Sequence, residues 1–174
     1  NADFSGAPVT KIEKGTTEDK TFYAKWSAVA ELGFKYTKDG DVLKVDVTLT
    51  KIPHDLSKLG AATLYVTRST ANGLTLKNVA SSFTGAMGKS EIISWNILDG
   101  ITDADLTAKN NVLFTLEYDI DTTYSGDVTF SYGADTELSA INSNGDPIKS
   151  VRYTKKTVIV SLSGGVVAPT IYQI

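Results

Sequence analysis

The chain of 174 residues has no cysteine, one methionine and one histidine. Without thiols there is no disulfide framework and no thiolate metal site, so packing alone must hold the fold, and the redox state of the surroundings is immaterial. The lone His54 follows Pro53 in a loop-like stretch. A histidine-based triad would need a nucleophile and an orienting acid around it, so His54 reads as a surface residue. Basic residues are scattered singly, 17 against 20 acidic ones for a net charge of −3. No stripe of cations is available to displace counterions from a phosphate backbone, which argues against a nucleic-acid partner. No apolar run approaches the roughly 20 residues that span a bilayer, so membrane insertion is not expected.

What is present is strand. From Gly40 to Val160 the chain runs as short alternating segments broken by Gly, Asn and Asp. The clearest is Val42 to Thr50, where Leu43, Val45, Val47 and Leu49 share one face and Lys44, Asp46, Thr48 and Thr50 the other. Asp39 and Gly40 just before it suit a tight turn, because Gly accepts a positive φ and Asp can hydrogen-bond its own backbone. Residues 31–50 therefore read as a hairpin. Further strands are predicted at Ala62–Thr67, Leu74–Ala80, Glu91–Ile97, Asn111–Ile120, Asp127–Gly133 and Lys156–Leu162, all rich in β-branched and aromatic residues. Only Ile101–Asn110 could form a helical turn. With 41% hydrophobic residues and no helical stretches long enough for βαβ units, the expectation is one all-β domain, an antiparallel β-sandwich.

Residues 1–27 differ, with Gly6, Pro8 and Gly15 punctuating a polar stretch that ends in an aromatic strand. A boundary near Ser27 predicts a short N-terminal β extension or linker, a main domain over 28–163, and a tail or linker over 164–174. Asn1 in place of Met suggests a mature or excised piece of a longer chain.

Asp41–Pro53, DVLKVDVTLTKIP, is similar to the cohesin pattern of a Gly-Asp turn, an alternating strand and a segment closing on Ile-Pro. The order continues with LGAATLYVT and LTLKNV. Ile97–Ile120, ILDGITDADLTAKNNVLFTLEYDI, resembles the cohesin run of strand end, acidic Gly-containing loop, turn and long strand. GDVTFSYG, INSNGDPIKS and KTVIV look like the closing strands with their Asn- and Asp-rich loop. Separately, Phe4–Trp26 resembles the C-terminal half of a small repeat of Listeria and Bacteroides surface proteins, which ends in Tyr-Ala-Lys-Trp.

These resemblances imply a nine-stranded jelly roll in an extracellular, secreted or cell-surface scaffoldin of the cellulosome type. Its role would be pure adhesion, not catalysis. Its partner would be a dockerin, a small calcium-loaded helical module carried by polysaccharide-degrading enzymes or other scaffoldins. The calcium belongs to that partner, no cofactor is expected here, and the module itself should be a monomer. In the family the dockerin lies on the sheet of the third, fifth, sixth and eighth strands. Carried over strand by strand, the binding face comprises Ala61, Thr63, Tyr65 and Thr67, then Ile93, Trp95 and Ile97, then Leu113 and Thr115. Family members often place Asn and Asp where this chain has Ala61 and Thr63, so the usual polar contacts are missing. Leu98 with Asp99, and Asn142, Asn144 and Ile148 in the late loop, match regions that often touch dockerin, against an alternative of ordinary turn chemistry.

The strand Glu91–Ile97 admits two registers. Counting back from Val112 puts Ile93, Trp95 and Ile97 outward as an exposed apolar patch with Trp95 as its anchor. Alternation alone puts the same three residues in the core, and a slip of one residue exchanges the two outcomes. If Trp95 is outward, Trp95→Ala weakens partner binding at least roughly tenfold and spares stability.

Other chemistries find less support. Asp99, Asp103 and Asp105, and the pair Asp119 and Asp121, lack the Asp-x-Asp-x-Asp-Gly calcium loop with its distal Glu, and no facing carboxylate pair suggests glycoside hydrolysis. A carbohydrate-binding module is the stronger rival, because Trp95, Tyr65 and Tyr153 could stack sugar rings if exposed in line. A structural adhesin or pilin-like domain is the third reading; an isopeptide crosslink between a buried Lys and Asn beside a Glu would support it, and the sequence shows no diagnostic spacing for one.

Overall fold

The computed structural model describes residues 30–50, 58–88, 90–141, 147–148 and 151–162. The predicted hairpin forms: β1 (Ala30–Asp39) and β2 (Val42–Leu49) pair antiparallel about Gly40, whose φ of +57° a side chain would resist. The remaining strands are β3 (Lys58–Arg68), β4 (Leu74–Ser81), β5 (Ala86–Gly88), β6 (Ile92–Ile101), β7 (Val112–Ile120), β8 (Asp127–Tyr132), β9 (Glu137–Ile141), β10 (Pro147–Ile148), β11 (Tyr153–Lys155) and β12 (Val158–Ser161). They form two sheets, ordered β11-β1-β2-β7-β4 and β10-β9-β3-β6-β5, with β8 pairing β3 beyond β9 and β12 pairing β8. This is the expected β-sandwich. Four of these segments, β5 and β9 to β11, span only two to five residues and were not predicted.

The predicted helical turn is α1 (Asp103–Ala108). Thr102 caps it: the Asp105 N–H donates to Thr102 Oγ1 at 3.2 Å, and the Thr102 N–H donates to Asp105 Oδ2 at 2.9 Å. This reciprocal box satisfies two donors that a helix start otherwise leaves bare. Leu106 anchors the turn in the core, and positive φ at Asn110 and Asn111 ends it. Asp121 has a similarly local task, accepting from the Thr123 N–H and hydroxyl at 2.9 and 2.6 Å.

Between the sheets the alternating apolar residues meet. Leu43, Val45, Val47 and Leu49 of β2 face Leu64 and Ile93 of the other sheet in one core with Phe114, Leu116, Tyr118, Phe130 and Val160. Two-sheet packing of this kind holds the sheets about 10 Å apart. At one end Arg68 on β3 spans the layers: its Nε lies 2.5 Å from Glu91 and its guanidinium 5.2 Å from the centre of the Tyr118 ring on β7. Tyr118 donates its hydroxyl to Glu91 at 3.2 Å, and burial is the main cause of its strongly raised pKa. Among the described residues, no helix is long and apolar enough to cross a membrane.

Candidate binding face

β3 occupies the centre of the second sheet, with β6 on one side and β9 on the other. Its alternation buries Ala62, Leu64 and Val66 and turns Ala61, Thr63, Tyr65 and Thr67 to the outer face, as the sequence predicts. Register then decides their neighbours. Ala61 lies opposite Asn96 and Ser139, Thr63 opposite Ser94 and Glu137, and Tyr65 opposite Ile92. Met87 of the edge strand β5 lies opposite Ser94. Opposed residues share a face, so Met87, Ser94, Thr63 and Glu137 form one row across four strands. Asn96, Ala61 and Ser139 form a second row, and Ile92 with Tyr65 a third.

The middle of this face is a shallow depression of about 370 Å³ floored by small residues. Glu137 is its one ionisable lining residue. At the opposite border, Met87 is 72% exposed and Ile92 47%. Farther along β3, the Thr67 and Ser131 hydroxyls hydrogen-bond at 2.8 Å. The β8–β9 connection is tied down beside the face: the Tyr65 N–H donates to the buried Thr136 Oγ1 at 3.1 Å, and the Tyr153 hydroxyl donates to the Thr136 carbonyl. Burial, and secondarily the Glu137 charge, raises the Tyr153 pKa.

Four of the carried-over residues, Ile93, Trp95, Leu113 and Thr115, are elsewhere. Ile93 is fully buried and Trp95 only 3% exposed, so alternation gives the right register for β6 and the count from Val112 does not. The outward residues of that strand are Ile92, Ser94 and Asn96, the set that the count from Val112 would turn inward. Leu113 is likewise fully buried. A β-bulge explains it, since Val47 pairs with Phe114 and Thr48 with Val112, leaving Leu113 as the extra residue. Leu113 and Thr115 also lie on β7, in the opposite sheet, where Thr115 donates to Asp46 at 2.6 Å. They do not join Tyr65.

Leu113 and Thr115 are expected on this face only because a strand too short to predict goes uncounted. β5 has three residues, and omitting it lowers the numbers of the next three strands by one. Glu91–Ile97 is the sixth strand, not the fifth, and Asn111–Ile120 the seventh, not the sixth. With the count restored, the third, fifth and sixth strands are neighbours in the order β3-β6-β5. Met87, Ile92, Ser94, Asn96, Glu137 and Ser139 are the members of the face that sequence reasoning missed. Only those on β6 carried a signal, its alternation.

Ile97 and Leu98 belong to β6 and Ile148 to β10. Asn142, Asn144 and His54 lie outside the described residues, as do the segments 1–27 and 164–174. Among the described residues, no group of three or more acidic or histidine side chains is placed to hold a metal.

Two sheets closed face to face, with a flat side-chain platform on one of them and its anchoring aromatics inside, define a β-sandwich of the jelly-roll class. The fold is that of cohesin modules. The seventh ScaB type I cohesin of Pseudobacteroides cellulosolvens superposes with a TM-score of 0.55 at 14% identity, covering 84% of this chain and 98% of that one. A type I cohesin of Clostridium thermocellum, solved in complex with a dockerin, gives 0.54 at 10% identity over 75% and 97% of the two chains. The cohesin module of a Clostridium perfringens family 33 glycoside hydrolase gives 0.53 at 10% identity over 76% and 96%. No protein-family model matches the sequence, and no curated protein matches it significantly.

Proposed function

We propose that this chain is a non-catalytic adhesion module of a secreted or cell-surface bacterial scaffold, and that it binds a calcium-loaded dockerin through the outer face of β5, β6, β3 and β9. One conjunction supports the reading. The fold matches cohesins, one of them solved with a dockerin bound, and the sheet built around β3 carries two of the three strongly exposed large apolar side chains among the described residues, Met87 and Ile92. Exposed apolar side chains at the border of a flat polar platform suit a protein partner. The module would comprise residues 28–163, with 1–27 and 164–174 as a surface-repeat piece and a linker to neighbouring modules.

The carbohydrate-binding alternative loses its platform. Trp95 is in the core, and Tyr153 lies on β11 with its hydroxyl bonded to the main chain, which leaves Tyr65 as the one proposed aromatic on this face. Calorimetric titration of the chain with a panel of dockerins, with calcium and with chelator, tests the proposal. One-to-one binding that needs calcium is the expected outcome. Silence across the panel, or binding to soluble polysaccharide alone, would reject it.

A further inference from the structure

The composition of the face assigns its partner a specific pattern, an inference that rests on the dockerin reading. Between its two borders the floor is made of Ser94, Thr63 and Ala61, which carry no charge and reach little above the sheet. Recognition by charged groups at the centre is therefore absent, and discrimination must come from the ends of the long row. One end is apolar: Met87, with Ile92 diagonal to it on β6. The other is Glu137, which has no cation paired with it among the described residues.

Met87 and Glu137 are separated by the gaps β5–β6, β6–β3 and β3–β9. At about 4.8 Å per gap this is roughly 14 Å. An α-helix rises about 1.5 Å per residue, so roughly nine residues span it. Positions seven, eight or eleven apart lie on one helix side, and long side chains close the remaining difference. We propose that this module selects a partner helix lying across the strands. It carries a large aliphatic residue over Met87 and Ile92, a Lys or Arg about two to three turns away over Glu137, and small residues between, which let the helix settle onto the small-residue floor.

An aspartate at Met87 or Ile92 puts a charge where an apolar contact forms, and a lysine at Glu137 opposes the partner's cation. All three side chains are exposed or half-exposed on the face, so the variants test binding and not folding. Calorimetric titration of the whole chain with the tightest-binding dockerin of the panel is the experiment, with circular-dichroism melts to verify that each variant keeps its fold. Met87→Asp and Glu137→Lys are each expected to weaken binding at least about tenfold. Changing the facing Lys or Arg of the dockerin to Glu should restore most of the loss in Glu137→Lys. Tight dockerin binding that neither variant alters would overturn this pattern and leave the dockerin reading intact. No binding to any dockerin would overturn both.

Discussion

Trp95 lays its indole against the Phe114 ring across the sandwich, with centroids 5.9 Å apart and planes tilted by 32°. A side chain so placed serves stability. Trp95→Ala would leave a cavity that two sheets cannot collapse to fill, at a cost of about 3–5 kcal/mol. The indole N–H has no hydrogen-bond partner among the described residues, so Trp95→Phe removes an uncompensated donor along with some volume. Chemical denaturation should place the Phe variant within about 1 kcal/mol of the parent and the Ala variant far below it. An Ala variant of parental stability would return Trp95 to the surface.

Arg68 tests the clasp between the sheets. Its removal leaves the partly buried Glu91 without a cation and the Tyr118 ring without its cover. Arg68→Ala is expected to cost about 2–3 kcal/mol. Arg68→Lys should recover only part of this, because an ammonium cannot match the planar guanidinium that lies over the ring while bonding Glu91 and the Leu74 carbonyl. Equilibrium unfolding of the two variants measures both effects.

Glycines at two turns should differ. Gly40 has φ +57° with open space around a would-be Cβ, whereas Gly73 has φ +81° and its Cβ would fall 2.3 Å from the Tyr124 ring. Gly40→Ala is expected to cost about 1–2 kcal/mol from conformation alone. Gly73→Ala should cost more, since the ring must also move. Equal losses in thermal melts would contradict the geometry.

Acid should erase the contribution of the α1 cap. The Thr102 hydroxyl and amide donate to Asp105 and hold its carboxyl below the ordinary value of 3.8. A depressed folded-state pKa means the unfolded chain takes up the proton first. The stabilisation is therefore complete above the ordinary value and is lost as pH falls through the folded one. The melting-temperature gap between the parent and Asp105→Ala should be open at neutral pH and narrow below about pH 4. A gap independent of pH would remove the charge from the account.

The parts of this fold written locally were legible. The β1–β2 hairpin, the long strands and the capped turn after β6 each follow from alternation or from turn and cap chemistry within about ten residues. Membership of a sheet is a non-local property, and it is there that sequence reasoning failed. β5, three residues around Met87, carries no periodicity to detect, and the bulge at Leu113 breaks the parity that a strand-by-strand count relies on. Ala61, Thr63, Tyr65 and Thr67 turn outward as expected because β3 alternates without interruption from Ala61 to Thr67. Ile93 and Trp95 were misplaced wherever the count replaced their own alternation.

The account turns on which face meets the partner, and amide chemical-shift mapping of the isotopically labelled chain on addition of a calcium-loaded dockerin shows it directly. The expected result is perturbation concentrated at Ala61–Tyr65, Ala86–Gly88, Ile92–Asn96 and Glu137–Ser139, reversed by chelation of calcium. Perturbation centred instead on the outer face of the opposite sheet, around Lys44, Thr115 and Glu117, would contradict it.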